Sequence, residues 1–467
     1  MKIAFVHYHL KTGGVTAVLK RQIRAVHGAC DTLVLTGDRA GTDLPCKVVE
    51  IPELGYTQPH MPPPNPDEAA ERVFQELTHA WPGGCDILHV HNPTLAKNRI
   101  FLQIIKRLQQ AGVNLFLQIH DMAEDGRPDA YFAEAYPADC HYGVLSARDL
   151  EILRKAGLKE TGLHYLPNAV DSLDVAESRD APRQVLYPVR AIRRKNLGEA
   201  ILLSLFFDAG QRMVLTQPPN SPADIASYRD WVRWVDRNRL PVDFEMGRSV
   251  AFPALVGASA SMVTTSIAEG FGLSFLEPWT AGRLLWGRRL DICRDFERSG
   301  MRLDSLYERI DVPWDWIDAD LFRRHWHAAV ARAAVCYGHG VDGDKAAQAF
   351  ARLTGREEVD FGLLSEKFQR RVLARLARNP SARTDLIRLN PWLAHPGSVA
   401  DAPAMIEDNR RVVLSRYTTA DYRRRLLSIY HQVISHPVTQ QIDKNTLREA
   451  FFDLDHFPLL KWGAYEG

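Results

Sequence analysis

The sequence predicts an α/β protein made of two doubly wound parallel sheets, and three observations carry that prediction. Short apolar, β-branched runs alternate with helical patterns from Lys2 to Leu166, and the same rhythm restarts from Gln184 to Trp286. Strands that alternate with helices imply right-handed crossovers and a parallel sheet covered on both faces. Between the two series lies Asp171–Arg183, polar and charged with few large apolar residues, which reads as a hinge. At 467 residues the chain is also too long for one ordinary core.

In the first series the predicted strands are Lys2–His7, Asp31–Thr36, Asp86–Val90, Val113–Ile119, Tyr142–Ser146 and Leu163–Leu166. Helical spacing falls between them at Val15–Val26, Pro66–Ala80, Lys97–Ala111 and Ala147–Ala156, and the proline-rich Pro52–Asp67 reads as loop. The second series gives strands Gln184–Val189, Arg212–Thr216, Val242–Met246, Ser261–Thr265 and Leu284–Trp286. Its helices are expected at Asn196–Phe207, Ala223–Arg239, Phe252–Ala258 and Ser274–Ala281. From about 293 to 403 the rhythm gives way to an Arg-rich helical insertion, with helices at Asp320–Tyr337, Gly343–Thr354 and Leu364–Arg378. Tyr417–Ser435 has Tyr422, Leu426, Leu427, Tyr430 and Val433 at helical spacing. The expected division is 1–178, then 179–435 with the insertion, then a tail 436–467 that docks back on the N-terminal domain.

Composition narrows the function. Lys and Arg number 58 against 57 Asp and Glu, a balance that argues against a broadly basic nucleic-acid binder. Six cysteines are scattered without a C-x-x-C pair, so neither a zinc site nor a disulfide framework is expected. The chain starts on the strand KIAFV with no leader pattern, and no apolar run is long enough for a membrane span. A cytoplasmic enzyme is the expectation.

The chemistry concentrates in Ser261–Gly282, SMVTTSIAEGFGLSFLEPWTAG. Between a buried strand and a helix lies Glu269-Gly270-Phe271-Gly272, where glycines allow a tight turn and close backbone approach. A bend feeding a helix N-terminus presents unpaired N–H groups to an anion such as a diphosphate. Glu269 and Glu277 bracket it, so the ligand should carry hydroxyls as well as phosphates. A nucleotide sugar satisfies both.

The stretch Glu269-Gly270-Phe271-Gly272-Leu273 through Glu277 resembles the donor-binding signature of retaining GT-B glycosyltransferases of family 4 (group 1). Thr12-Gly13-Gly14-Val15 is similar to that family's N-terminal glycine loop, and His120-Asp121 to its His-Asp pair at a strand end. Pro167-Asn168-Ala169-Val170-Asp171 resembles its turn before the hinge, and Arg190 with Lys195-Asn196 its basic pair after the first strand of the second domain. These motifs occur in order over about 1–290, with the late helix near 417–435. Departures are Val189 where the family has glycine, Ala169 in the turn, and Pro278-Trp279 after Glu277.

The resemblance implies two Rossmann-like domains facing across a cleft and transfer of a hexose, UDP-glucose being the first donor to try, to a small hydrophilic or saccharide acceptor. Arg190 and Lys195 would balance the departing diphosphate without a metal, Glu277 would take the ribose, Glu269 the donor sugar, and His120 would lie beside the transferred sugar. Gly13, Gly14, Asn196, Gly270, Phe271, Gly272 and Leu273 complete the expected donor site. No cofactor and no nucleic-acid partner are expected, and the insertion could set acceptor choice or pair two copies. An epimerase, a sugar phosphorylase or a non-catalytic binder of nucleotide sugars on the same fold are the rival readings.

Plain structural roles compete for several of these residues. Ser274-x-x-Glu277 is a capping-box pattern, Gly13-Gly14 can be an ordinary turn, and Arg193-Arg194-Lys195 can be a solvated helix start. His120 can be a satisfied polar residue at a strand end. His7, His9, His89 and His91 suit strand ends lining a cleft better than a metal site. Asp318-Ala319-Asp320 suits a helix start better than metal binding.

Overall fold

The computed structural model describes residues 1–39, 43–58, 61–176 and 183–466, and the chain divides into two compact units. The first comprises Met1–Ala169 with Tyr417–Phe452, and the second Val170–Arg416 with Asp453–Gly467. Part of the expected hinge, residues 177–182, lies outside the described residues.

In the first unit, β1 (Lys2–His7), β2 (Asp31–Thr36), β3 (Lys47–Glu50), β4 (Ile87–His91), β5 (Leu115–Gln118), β6 (His141–Val144) and β7 (Leu163–Tyr165) form one sheet. Its order is β3-β2-β1-β4-β5-β6-β7, every pair parallel. Both faces are covered, which is why β1 runs Ile3-Ala4-Phe5-Val6 without alternation, all four buried. The helices between strands begin where the sequence supplies caps. Helix Pro66–Ala80, for example, starts with the Asn65 side chain accepting from Asp67 N–H at 2.9 Å and with proline in the first turn.

The second unit repeats the plan with β8 (Gln184–Arg190), β9 (Arg212–Gln217), β10 (Val242–Asp243), β11 (Ser259–Thr264), β12 (Leu284–Arg288) and β13 (Leu306–Tyr307). Their order is β10-β9-β8-β11-β12-β13. Beyond them β14 (Asp311–Pro313) and β15 (Glu358–Asp360) pair antiparallel inside the predicted insertion. The insertion is therefore not wholly helical, and its opening stretch supplies β13 to the main sheet.

Two boundaries differ from the sequence reading. Helix Thr419–Ser435 belongs to the first unit rather than the second, because Tyr422, Leu426, Ile429, Tyr430 and Val433 pack into the core of Ile3, Phe5, Leu19, Ile23 and Phe116. The tail divides as well. Ile442, Leu447 and Phe451 join the other face of the first sheet, while residues 453–467 belong to the second unit, where Phe457 stacks on Trp462 and edges onto Trp326. The expected docking of the tail 436–467 back towards the N-terminal domain is corrected for its last segment, which is held by the second unit's own aromatic residues.

Candidate active site

In an open α/β sheet, ligands bind beyond the carboxyl ends of the strands where the strand order reverses. In the second unit that point lies between β8 and β11. The sequence sends both of its candidate segments there, since Arg190 ends β8 and the 265–272 bend follows β11. Pro188 sits inside β8 and cannot donate to a ladder, and the pairing with β9 shifts register between Tyr187 and Arg190. Such an irregularity re-aims the strand end. Arg190 emerges from it half-buried, with a guanidinium N–H donating to the Pro218 carbonyl at 3.4 Å.

The next residues form a hook. Arg193–Lys195 is a single 3-10 turn, and Asn196 follows in the left-handed region at φ 52°. The hook is sewn to the strand ends by hydroxyls: Tyr187 Oη donates to the Lys195 carbonyl at 2.8 Å, and Thr265 Oγ1 donates to the same oxygen at 2.9 Å. Ile267 N–H donates to the Arg194 carbonyl at 3.0 Å. Held this way, the Lys195 ammonium forms an ion pair with the Glu269 carboxylate. The two side chains are only 12% and 9% exposed. Burial pushes the Glu269 carboxyl up, but Lys195, Arg194 and hydrogen bonds from Lys195 and Ser266 outweigh it and hold the carboxyl below its ordinary range. The Glu269 carboxylate is therefore ionised at neutral pH.

In the bend, Gly272 is left-handed at φ 80°, and a Cβ there would lie 2.9 Å from the Phe275 ring. Glycine is required at that position by the backbone itself. The helix expected from Ser274 is shorter than predicted. Leu273–Phe275 is a 3-10 turn and Glu277–Thr280 a single α-turn, with Pro278 at its start. Aligned dipoles over one turn add little, so the bend must rely on its individual amides rather than a macrodipole. The capping box does not form: no side chain caps the Glu277 turn, and Ser274 Oγ is buried without a hydrogen-bond partner. Glu277 is half-buried at this turn. Phe271 is buried edge-to-face on Phe296 at 6.0 Å, so its ring serves packing. Leu273 is half-buried.

Asn196 is a correction to the sequence reading. Its amide nitrogen donates to Glu199 Oε2 at 2.7 Å, its oxygen accepts from Gln369 Nε2 at 2.8 Å, and the residue is 1% exposed. It shapes the hook instead of offering an amide to a ligand. The sequence also missed Tyr187, Thr265 and Ser266, whose hydroxyls tie hook to bend; Tyr187 Oη and Ser266 Oγ are 3.1 Å apart. Strand-end hydroxyl residues were the available signal.

In the first unit His120 is buried beyond β5, its Nε2 2.9 Å from His91 Nδ1. Burial lowers its pKa to about 4 against the pull of Asp121, and burial with the charges of His9 and His120 lowers His7 to about 3. These rings are neutral near pH 7. Asn92, unremarked in the sequence although it directly follows β4, accepts from the backbone N–H groups of His120 at 3.2 Å and Asp121 at 3.0 Å. It fixes the His-Asp turn. Gly13 and Gly14 open helix Gly14–Val26, and a Cβ at either would meet nothing nearer than Lys11 O at 3.9 Å. Asp318 caps helix Ala319–Cys336 by accepting from Leu321 N–H at 2.9 Å, which accounts for the D-x-D pattern. Among the described residues, no group of three or more His, Cys, Asp or Glu side chains is placed to hold a metal ion, and no helix is long and apolar enough to cross a membrane.

No protein-family model matches the chain. A curated relative, the mannosylglucosyl-3-phosphoglycerate synthase of Petrotoga mobilis, is 24% identical over 353 residues, 66% of this chain and 68% of that one. Among solved structures, a sucrose-phosphate synthase from Thermosynechococcus elongatus superposes with a TM-score of 0.57 at 14% identity, covering 93% of this chain and 99% of that one. Anabaena HepE in complex with UDP-glucose gives 0.56 at 13% identity, with 92% and 99% covered. The chain has the GT-B fold of these glycosyltransferases.

Proposed function

We propose that the chain transfers a hexose, with retention and without a metal, from a nucleoside-diphosphate sugar to a hydroxyl of a small hydrophilic or saccharide acceptor. UDP-glucose is the first donor to test. The observation that carries this reading is the buried Lys195–Glu269 pair at the strand-order reversal of the second sheet, beside the Gly270–Gly272 bend.

An ammonium has three donors. On this reading Lys195 holds Glu269 and a phosphate oxygen together, and the ion pair aims the cation. Negative charge grows on the departing diphosphate at the transition state, and fixed donors aimed there lower the barrier. Arg190 adds a planar fork suited to phosphate, the bend adds amides, and the orphan Ser274 hydroxyl adds one more donor. Glu269 then faces the donor sugar and Glu277 the ribose hydroxyls. His120, kept neutral by burial in the first unit, can donate or accept a hydrogen bond without charging. The glycines at 13 and 14 are not demanded by the fold's own packing, which suits close approach of a ligand to that backbone. Retention is assigned to front-face displacement, in which the leaving phosphate takes the acceptor proton.

The relative's name, a mannosylglucosyl-phosphoglycerate synthase, supports a small hydrophilic acceptor and brings mannosyl donors into the panel. The test is thermal unfolding with UDP-, GDP- and ADP-sugars. A donor at a hundred times its dissociation constant adds about 2.7 kcal/mol, so one base should raise Tm clearly. A panel in which no nucleotide sugar moves Tm contradicts the proposal.

A further inference from the structure

The hook that carries Lys195 is closed by two turn hydrogen bonds, Lys195 N–H to the Ile192 carbonyl and Asn196 N–H to the Arg193 carbonyl, both 2.9 Å. It is a three-residue 3-10 turn with no buried residue of its own, followed by a left-handed asparagine. Its position is set from outside, and much of the hold comes from one helix of the insertion, Glu366–Arg378.

Glu366 and Gln369 lie three residues apart on that helix, hence on one face, and both are buried. Glu366 accepts from Arg193 Nε at 2.6 Å and Nη2 at 3.0 Å, a bidentate pair, and also from Ser227 Oγ at 2.9 Å. Gln369 Nε2 donates to Asn196 Oδ1 at 2.8 Å and to the Phe361 carbonyl at 3.2 Å. The helix therefore grips the residues two before and one after Lys195. Gly198 allows the approach, since a Cβ there would collide with Gln369 Oε1 and come within 2.8 Å of Trp231. The tail supports the same side: Arg193 Nη1 donates to the Gly463 carbonyl at 2.7 Å, and its guanidinium lies 5.9 Å from the Tyr465 ring centre.

We propose that Glu366 and Gln369 are positioning residues for the donor cation: the insertion helix sets the register of the Arg193–Asn196 hook and thereby aims Lys195. This rests on the reading of Lys195 as a diphosphate ligand. It gives the insertion a role in donor binding, distinct from acceptor choice or pairing of copies.

The experiment is a double-mutant cycle in the full chain, read by calorimetric titration of UDP and uridine (GDP and guanosine, or ADP and adenosine, if that base is the one that raises Tm). Gln369→Leu should weaken the diphosphate about tenfold while leaving the nucleoside within about twofold. In a Lys195→Ala background it should cost nothing further, because there is no cation left to aim. Glu366→Gln, which keeps the shape and one acceptor oxygen but puts a donor where the other accepts from Arg193, should give a smaller loss of the same kind and serves if the leucine variant does not fold. Equal losses for nucleoside and diphosphate, or a full loss persisting without Lys195, would reduce both residues to structural support and overturn the proposal. An unchanged diphosphate affinity in both variants would do the same. If Lys195→Ala alone leaves the diphosphate affinity intact, or no nucleoside diphosphate binds the unmutated chain, the donor-site reading falls first and this one with it.

Discussion

Lys195→Ala is expected to lower kcat/KM for the nucleotide sugar by at least about a hundredfold, with much of the loss in kcat. Removing one preorganised donor to developing charge typically costs about 3 kcal/mol at the transition state. Here a second effect adds to it. Glu269 keeps its carboxylate charged largely because Lys195 offsets burial, and with the ammonium gone the remaining cation and hydrogen bond work against desolvation alone. On the proposed reading the variant loses the phosphate cation and alters the charge beside the donor sugar together. Lys195→Arg should recover part of the rate, since charge is retained but the fork cannot reproduce three rotatable donors. Steady-state rates for both variants, with urea unfolding as a control for stability, decide the matter. A Lys195→Ala enzyme within threefold of the parent would rule out the assigned role.

Arg288→Ala should be among the most destabilising single changes in the second unit, about 3–5 kcal/mol in urea unfolding. Arg288 ends β12 and is 5% exposed. It donates to Glu199 at 2.8 and 2.6 Å and to Asp360 at 2.7 and 2.9 Å, and caps the Glu308 carbonyl at 3.1 Å. Glu199 also accepts from Tyr307 Oη at 2.6 Å. Burial already holds the Glu199 carboxyl above its ordinary range with Arg288 in place. Without the guanidinium the buried Glu199 carboxyl and the partly buried Asp360 carboxyl face each other without a cation between them. The Arg212–Asp243 pair is a useful contrast. Its bonds are equally short at 2.7 Å, but its side chains are 48% and 34% exposed, so Arg212→Ala should cost less than about 1 kcal/mol. A loss for Arg288→Ala no larger than for Arg212→Ala would show that burial of this network contributes nothing to stability.

The parts of this architecture that were legible in the sequence are those whose signal is local. A covered parallel strand is apolar along its length, so β1 announces itself, and glycines after the buried end of β11 mark a bend. Lys195 and Glu269 could be named separately because each sits at a strand end. Short edge elements were not legible. β3 is only Lys-Val-Val-Glu with both ends exposed, and β13 is two residues long. The helix after the bend was overread because Leu273–Ala281 has helical composition, whereas left-handed Gly272 and Pro278 break it into two single turns. Asn196 was assigned to the ligand because its partners are distant. Gln369 lies 173 positions away, as does Glu366 from Arg193, and no spacing rule connects such residues. The fate of the chain end was illegible for the same reason, since its aromatic partners are in the insertion.

The central claim is that a nucleoside diphosphate is held in the second unit between the hook and the glycine bend. A crystal structure of the chain with bound UDP, or with whichever diphosphate raises Tm, tests it most directly. The account predicts a phosphate oxygen within about 3 Å of Lys195 Nζ and of at least one amide in Gly270–Leu273. A diphosphate bound elsewhere on the chain, with Lys195 engaged by Glu269 alone, would contradict it.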